Sequence, residues 1–460
     1  MNHQTQQPNT IRTLPEGSVL IVVIWIVLIL ASLILVLAHT IRVEAVAATN
    51  HVSQVQAEAV ANGAIQYVFA KLSEESSSVS YSTNPDEAMQ VGDGYFWILR
   101  PNLSDDRNYD FGRVDEAGKI NLNSDAPQEL LEMLLKLPNM TAELANSIID
   151  WQDEDEDVSA GGAEGEYYLL LGEPYQCKNA PLETIEEVLL IKGGSLQLLY
   201  GEDTNRNGML DWNENDGEQS PPADNSNNRL DPGFFNYVTI HSYETATDEE
   251  GQQRLDLNDP QNQAAVQTLI GGVAGSENAI AIMQSLRNGG LFRGGTTGSN
   301  MSLIDAYLIS GMKYEDFNQI MDRLTMDGRK QTIAGRINVN TAPQEVLLCL
   351  PGLEESDVDA LIQNREKSGA DLSSILWVAE VLDANKARGI GRYITVKSSQ
   401  YSADIVAVSS DGRAFARYFV VVDVAQGTPK IIYKQSLHYA GWPLDPKILE
   451  TLRAGQELQF

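Results

Sequence analysis

Pro15-Glu16-Gly17-Ser18-Val19-Leu20-Ile21-Val22-Val23-Ile24-Trp25 opens an apolar run that continues to Ala38. A helix rises about 1.5 Å per residue, so about twenty such residues cover about 30 Å, the depth of one hydrocarbon core. No second stretch like it follows, so the chain reads as tethered at one end and otherwise surrounded by water. A secretory signal carries its small-residue cleavage site after the apolar core. Here Gly17 lies before it, and a cut after Gly17 would make Ser18 the first residue and keep the apolar run. A plain signal anchor is the alternative use of a single N-terminal span. Arg12 and Arg42 flank the run about equally, so charge does not set its orientation.

From Thr40 to Leu72 the sequence is Ala-rich, with Val55, Val60, Ala64 and Val68 at roughly helical spacing, and no proline interrupts Val19 to Leu72. One long helix is expected, half in the membrane and half amphipathic. Ser73 to Asp86, which contains Pro85, breaks it, and Gln90 to Arg100 reads as a strand. Near the other end the period becomes two. Tyr393 to Val396, Ser402 to Ser409, Ala414 to Val424 and Lys430 to Tyr439 read as strands, with Asp411-Gly412 as a hairpin turn. Gly441 to Phe460 carries no clear signal. The expected fold class is α+β. Its parts are a leader (1–17), the long helix (18–72), an αβ domain with a small antiparallel sheet (73–117 and 389–440), a large α-helical insert (118–388) and a tail (441–460).

Inside the insert a string recurs. Ile120-Asn121-Leu122-Asn123-Ser124-Asp125-Ala126-Pro127-Gln128-Glu129-Leu130-Leu131 returns as Ile337-Asn338-Val339-Asn340-Thr341-Ala342-Pro343-Gln344-Glu345-Val346-Leu347. Each copy reads as a helix start, with Asp125 and Thr341 as N-caps and Gln128 and Gln344 completing capping boxes. Pro127 and Pro343 fall in the first turn, where no intrahelical hydrogen bond is lost. Each copy leads through a short turn, Leu137-Pro138-Asn139-Met140 or Leu350-Pro351-Gly352-Leu353, into a second helix at about 142–151 or 355–366. These hairpins resemble the helix-hairpin-helix units of competence proteins. A pair of such hairpins should share one core with the segment between them, since neither buries its apolar stripe alone.

The chain holds 32 basic and 64 acidic residues, a net charge of −32. Such a surface repels nucleic acid phosphates unless a basic stripe is present, and none is found. It favours cations. Asp203-Thr204-Asn205-Arg206-Asn207-Gly208-Met209-Leu210-Asp211-Trp212-Asn213-Glu214 fits a twelve-residue calcium loop at every position. Asp203, Asn205 and Asn207 stand at positions 1, 3 and 5. Gly208 makes the turn, Met209 offers its carbonyl, Asp211 fills position 9 and Glu214 closes the set. A short helix is expected before the loop (195–200), whereas Pro221-Pro222 bars a long one after it. A weaker echo runs from Asp224 to Asp231, with Arg229 where glycine belongs. A third acidic group combines Asp150, Asp153 and Asp155 with Glu164. Catalysis has little support: only His241 and His438 lie beyond the long helix, and no nucleophile or phosphate-loop motif is present. Cys177 and Cys349 are far apart in sequence, and spacing does not say whether they pair.

The order of leader and apolar helix resembles that of type IV pilins and pseudopilins. The run Ile148-Ile149-Asp150-Trp151-Gln152-Asp153-Glu154-Asp155, then Gly162-Ala163-Glu164, Tyr167-Tyr168 and Cys177-Lys178-Asn179-Ala180-Pro181-Leu182-Glu183, resembles the minor pseudopilin K family of type II secretion systems. Val22, fifth from Ser18, agrees, since most pilins carry Glu there and the K family lacks it. The resemblance implies a non-enzymatic subunit at the tip of a pseudopilus, helping to start its assembly for protein export. It also implies calcium in the insert, the I and J minor pseudopilins and other pseudopilus subunits as partners, and no nucleic acid. A prepilin peptidase would cut after Gly17 and methylate Ser18. The protein would be anchored once in the inner membrane, with its body in the periplasm. A membrane-anchored DNA-binding competence protein and an anchored calcium-dependent hydrolase are the alternatives.

Overall fold

The computed structural model describes residues 16–74, 86–103, 105–248, 250–293, 301–328 and 330–458. The stretch without proline forms one helix, α1 (Glu16–Glu74). Its apolar side chains from Val19 to Val46 are exposed. Among the described residues it is the one helix long and apolar enough to cross a membrane. In its second half Ser53, Ala57, Val60, Ala61, Ala64, Ile65, Val68 and Leu72 are buried, a single stripe at steps of three and four. Val55 was expected in that stripe but is exposed. Five residues from Val55 to Val60 turn the helix about 140° past the stripe.

Among the described residues, seven strands make the sheet beside α1. They are β1 (Met89–Val91), β2 (Gly94–Arg100), β3 (Asp110–Phe111), β4 (Val114–Asp115), β5 (Gln400–Val408), β6 (Phe415–Asp423) and β7 (Lys430–Ser436). The order is β1-β2-β5-β6-β7, with β3 on β2 and β4 on β5. Every pairing is antiparallel. The strand expected over 90–100 is a hairpin instead, with Val91 opposite Gly94 across the turn. Alternation along the strands makes two faces. Phe96, Ile98, Tyr401, Ala403, Ile405, Ala407, Val420 and Val422 pack on α1. Trp97, Leu99, Val406 and Val408 face the other way and meet Leu444 and Leu452 of the tail. The tail therefore has a role its sequence did not announce. Its helix (Pro446–Arg453) covers the second face, and Trp442 stands edge-on to Trp97 at 5.9 Å.

The chain leaves the sheet at Asp115 and returns at Gln400. The helices in between are α2 (Pro127–Leu134), α3 (Ala142–Asp150), α4 (Gly165–Leu169), α5 (Leu196–Tyr200), α6 (Gln263–Ala274) and α7 (Ser276–Asn288). They are followed by α8 (Leu303–Ser310), α9 (Tyr314–Met321), α10 (Gln344–Cys349), α11 (Glu355–Arg365), α12 (Leu376–Val381) and α13 (Ala384–Ile390). Short strand pairs join distant parts. Ile120–Asn121 runs parallel to Val238–Thr239, and Ile337–Asn338 parallel to Ile394–Thr395. Ile394–Thr395 thus belongs to the inserted body, not to the main sheet where its period-two pattern had put it. Alternation over so few residues does not choose a partner.

The two hairpins do share a core. Leu122, Leu130, Leu134, Leu144 and Ile148 pack in one cluster with Val339, Val346, Leu347, Val358 and Leu361. Lys136 joins them further, donating from Nζ to the carbonyls of Cys349 (3.2 Å) and Leu350 (3.0 Å) at the end of α10. A second cluster holds α6 to α9 through Val266, Ile270, Met283, Leu286, Phe317 and Ile320. Neither cysteine is in a disulfide.

The repeat has a different physical basis from the one expected. Neither Asp125 nor Thr341 caps a helix. The cap positions are Ala126 and Pro343, without side-chain hydrogen bonds. Asp125 pairs with Lys330, and Thr341 donates from Oγ1 to Asp115. The asparagines carry the repeat. The side-chain oxygens of Asn121 and Asn338 accept from the N–H of Asn123 and Asn340, closing matching Asx turns. Asn123 and Asn340 then donate to the distant carbonyls of Leu182 and Leu372, each at 2.9 Å.

Candidate metal centres

Ser195 caps α5 through Leu198 N–H, and the chain turns at Gly201 into the 203–214 loop. The loop closes on its own side chains. The Asp203 carboxylate accepts from Asn207 N–H (2.9 Å) and Gly208 N–H (3.0 Å). Asn205 Oδ1 also accepts from Asn207 N–H, and Asn207 Oδ1 from Met209 N–H. Glu214 reaches back to Thr204 N–H (3.3 Å) and Asp211 N–H (3.1 Å). Gly208, at φ +70°, takes the left-handed turn that the sixth position needs. The exit is a single 3₁₀ turn, Trp212–Glu214, with no long helix after it.

This closure buries charge. Asp203 is 4% exposed and Glu214 1%. Burial pushes the Asp203 carboxyl up to about 6. Burial first, then the charges of Asp203 and Asp211, pushes Glu214 up to about 8. Carboxylates held this way are the donors a hard dication takes. The amides of Asn205 (2.6 Å) and Asn207 (3.1 Å) donate to Asp211 Oδ2 and screen it.

A second acidic group lies elsewhere among the described residues. Asp150, Asp153 and Glu164 bring one oxygen each within 4.8 Å of one another. Asp150 ends α3, and Glu164 immediately precedes α4. The Asp150 carboxylate accepts from Ser159 N–H (3.1 and 3.3 Å). Glu164 is only 2% exposed, yet among the described residues neither of its oxygens nor Asp153 Oδ1 has a hydrogen-bond partner. Burial, then Asp153 and Asp150, pushes Glu164 up to about 7. A Cβ on Gly162 would collide with the Asp150 carboxylate, so the backbone approaches the group as closely as glycine allows. Orphaned, buried, mutually repelling carboxylates fit a cation. Asp155 does not join them. It is exposed and accepts from Asp157 N–H.

The echo loop spends its carboxylates on separate partners. Asp224 accepts from Asp216 and Gly217 N–H, and Asp231 from the Asn139 amide. Glu202, absent from the sequence reading, links the two loops by accepting from Asn225 and Asp231 N–H. Gly17 and Ser18 lie in the first turn of α1, and residues 1–15 are outside the described residues.

Two profiles of type II secretion system (T2SS) protein K match the chain, one over residues 113–200 and the other over 337–390. Both matched segments are similar to the same family, type II secretion system protein K. The first matched segment holds the first hairpin together with Asp150, Asp153 and Glu164, and the second holds the second hairpin. The 203–214 loop and the sheet after Gln400 lie outside both. Among solved structures, the chain resembles one in the crystal structure of the GspK-GspI-GspJ complex from the enterotoxigenic Escherichia coli type 2 secretion system. The TM-score is 0.39 at 12% identity, covering 86% of this chain and 98% of that one. No curated protein matches the chain.

Proposed function

We propose that this protein is a minor pseudopilin that caps a type II secretion pseudopilus and helps start its assembly. The observation that carries the reading is α1. Between Glu16 and Glu44 it offers no carboxylate, and its apolar face is open from Val19 to Val46. In a helical stack, a buried carboxylate near the terminus neutralises the amino group of the next subunit. A topmost subunit has no such neighbour, and Val22 supplies no such carboxylate. The bulk of the inserted body fits the same position, since it would obstruct further stacking.

In this reading a prepilin peptidase cuts after Gly17, α1 anchors the chain in the inner membrane, and the body lies in the periplasm. The I and J minor pseudopilins dock from below. Calcium occupies the 203–214 loop and the Asp150, Asp153 and Glu164 group, where it offsets charge that the fold has buried. The hairpins act as a scaffold, consistent with Lys136 being engaged on the neighbouring hairpin.

Paired cysteines on the exposed edge of β7 and on each pseudopilin test the arrangement by cross-linking in membranes. Cross-links to I and J without self-ladders are expected. Ladders of this chain along the filament would refute the cap.

A further inference from the structure

We propose that the 203–214 loop is a latch between the inserted body and the sheet, so that filling its cation site and docking the body form one coupled equilibrium. The inference rests on the cation reading of that loop.

Packing does not weld the junction shut. A cavity of about 1180 Å³ lies between the two parts, lined by Leu99 and Phe419 from the sheet and by Phe235 and Pro343 from the body. Polar attachments flank it. Asp115 at the end of β4 accepts from Asn338 (3.0 Å), Thr341 (2.6 Å) and Ser398 (2.5 Å). The loop, through Asp203, Arg206 and Asn207, also lines the cavity.

The loop attachment begins on β6. Arg417 is fully buried. Its guanidinium donates to the Asn205 carbonyl (2.6 Å) and the Arg206 carbonyl (2.7 Å). Asp404 on β5 fixes it through Nε (3.0 Å) and Nη2 (2.5 Å). The Arg417–Asp404 pair is neutral as a unit, so it holds the loop without opposing a cation. Arg206 makes the reverse reach. Its guanidinium lies 4.1 Å from the Phe235 ring and 5.2 Å from Tyr200, both in the body, and 5.5 Å from Phe419 on β6. Asn207 donates to the Pro443 carbonyl of the tail (3.1 Å), and Leu210 N–H to the Asp106 carbonyl (2.9 Å).

Asn205 and Asn207 are thus fixed twice. The side-chain oxygens of both belong to the cation set, while Arg417 on the sheet holds the main-chain carbonyl of Asn205 and the Pro443 carbonyl of the tail holds the side-chain Nδ2 of Asn207. Whatever holds the loop in shape for the sheet preorganises it for the ion. By linkage the ion must strengthen those contacts by the same factor. The inserted body would then dock firmly only where calcium is present.

The test uses the full-length protein in detergent, with calcium calorimetry and amide hydrogen exchange. Asp203→Ala isolates the loop's share of calcium uptake. Arg206→Met removes the ring contacts together with the ion pair to the partly exposed Glu186 (3.9 Å) and the hydrogen bond to Gln435 (3.5 Å). Arg417→Met with Asp404→Leu removes the clamp and its counter-charge together. In the parent, calcium should slow exchange at 203–214 and also at 415–419 and 441–445. In both latch variants the loop's affinity should fall about tenfold, with slowed exchange confined to the loop. The latch is overturned if calcium protects only the loop in the parent, or if both variants bind as the parent does. If Asp203→Ala leaves the isotherm unchanged, the cation reading of the loop fails and takes the latch with it.

Discussion

Glu164→Gln should stabilise the calcium-free protein and remove its response to calcium at that group. The carboxyl sits beside Asp150 and Asp153 with both oxygens unpartnered, and its pKa rises from 4.5 to about 7. At about 1.4 kcal/mol per unit, that shift corresponds to about 3.5 kcal/mol. This is an upper bound, because water reaching the group weakens the repulsion. The sign follows from proton counting. Between pH 4.5 and about 7 the folded state keeps a proton that the unfolded chain releases. Stability therefore falls as pH rises through that window and stays low above it. Glutamine is neutral throughout and should remove that slope. Unfolding in urea with a chelator, from pH 4.5 to 8.5, measures the effect. The variant should match its parent at the acid end and exceed it by about 2 kcal/mol at pH 8. Calcium at a hundredfold excess over its dissociation constant should add about 2.7 kcal/mol to a parent carrying Asp203→Ala, and far less once Glu164→Gln is added. A variant less stable than its parent at pH 8 without calcium would refute the reasoning, since the carboxylate would then be stabilising as it stands.

Three further outcomes are expected. Asp203→Ala should lower the calcium-dependent rise in melting temperature, with the remainder contributed by the Asp150 group. Asn338→Ala leaves Asp115 short of a donor and opens an Asx turn, so urea unfolding should show a loss of about 2 kcal/mol; a loss below about 0.5 kcal/mol would mean that Thr341 and Ser398 suffice. Intact mass of protein from its native membrane should place the mature N-terminus at Ser18, and a chain still carrying Met1 would contradict the leader.

What could be read in the sequence was what repeats locally. The uninterrupted apolar run gave α1, and period two gave β5, β6 and β7 to within a few residues. The closed 203–214 loop was visible because its side chains serve one another within twelve positions. The misreadings have local causes too. Pro127 and Pro343 sit where a helix starts, so the polar residues before them looked like caps. The asparagines two places apart were instead closing Asx turns and holding distant carbonyls. Val91-Gly92-Asp93-Gly94 carries turn residues that were overlooked inside an apolar stretch. Other features depend on contacts that no local pattern announces. Asp115 meets residues more than two hundred positions away. Arg417 looks like an ordinary strand arginine until Asn205 and Asp404 surround it. Leu444 and Leu452 in the tail have too little periodicity to reveal the face they cover.

The place of the insertion explains how so large a body can interrupt a sheet. Asp115, the last residue of β4, lies directly opposite Tyr401 on β5, and Val114 opposite Ser402. The chain departs from one strand and returns on its neighbour, as it would through a tight hairpin. The inserted body is in that sense an enlarged turn between β4 and β5. Such a site costs the sheet no hydrogen-bonded pair, and loop closure grows only slowly with the length of what is inserted. Glu116 lies just past the departure point and is buried beside Lys119. It accepts from Ser402 (2.6 Å) on β5 and from Thr239 in the body. Asp115 and Glu116 therefore attach the first residues of the insert to the returning strand and to the body's interior at once. The 203–214 loop, held on Arg417, is a second attachment between body and sheet, and its Asp203, Arg206 and Asn207 line the same cavity as Asp115.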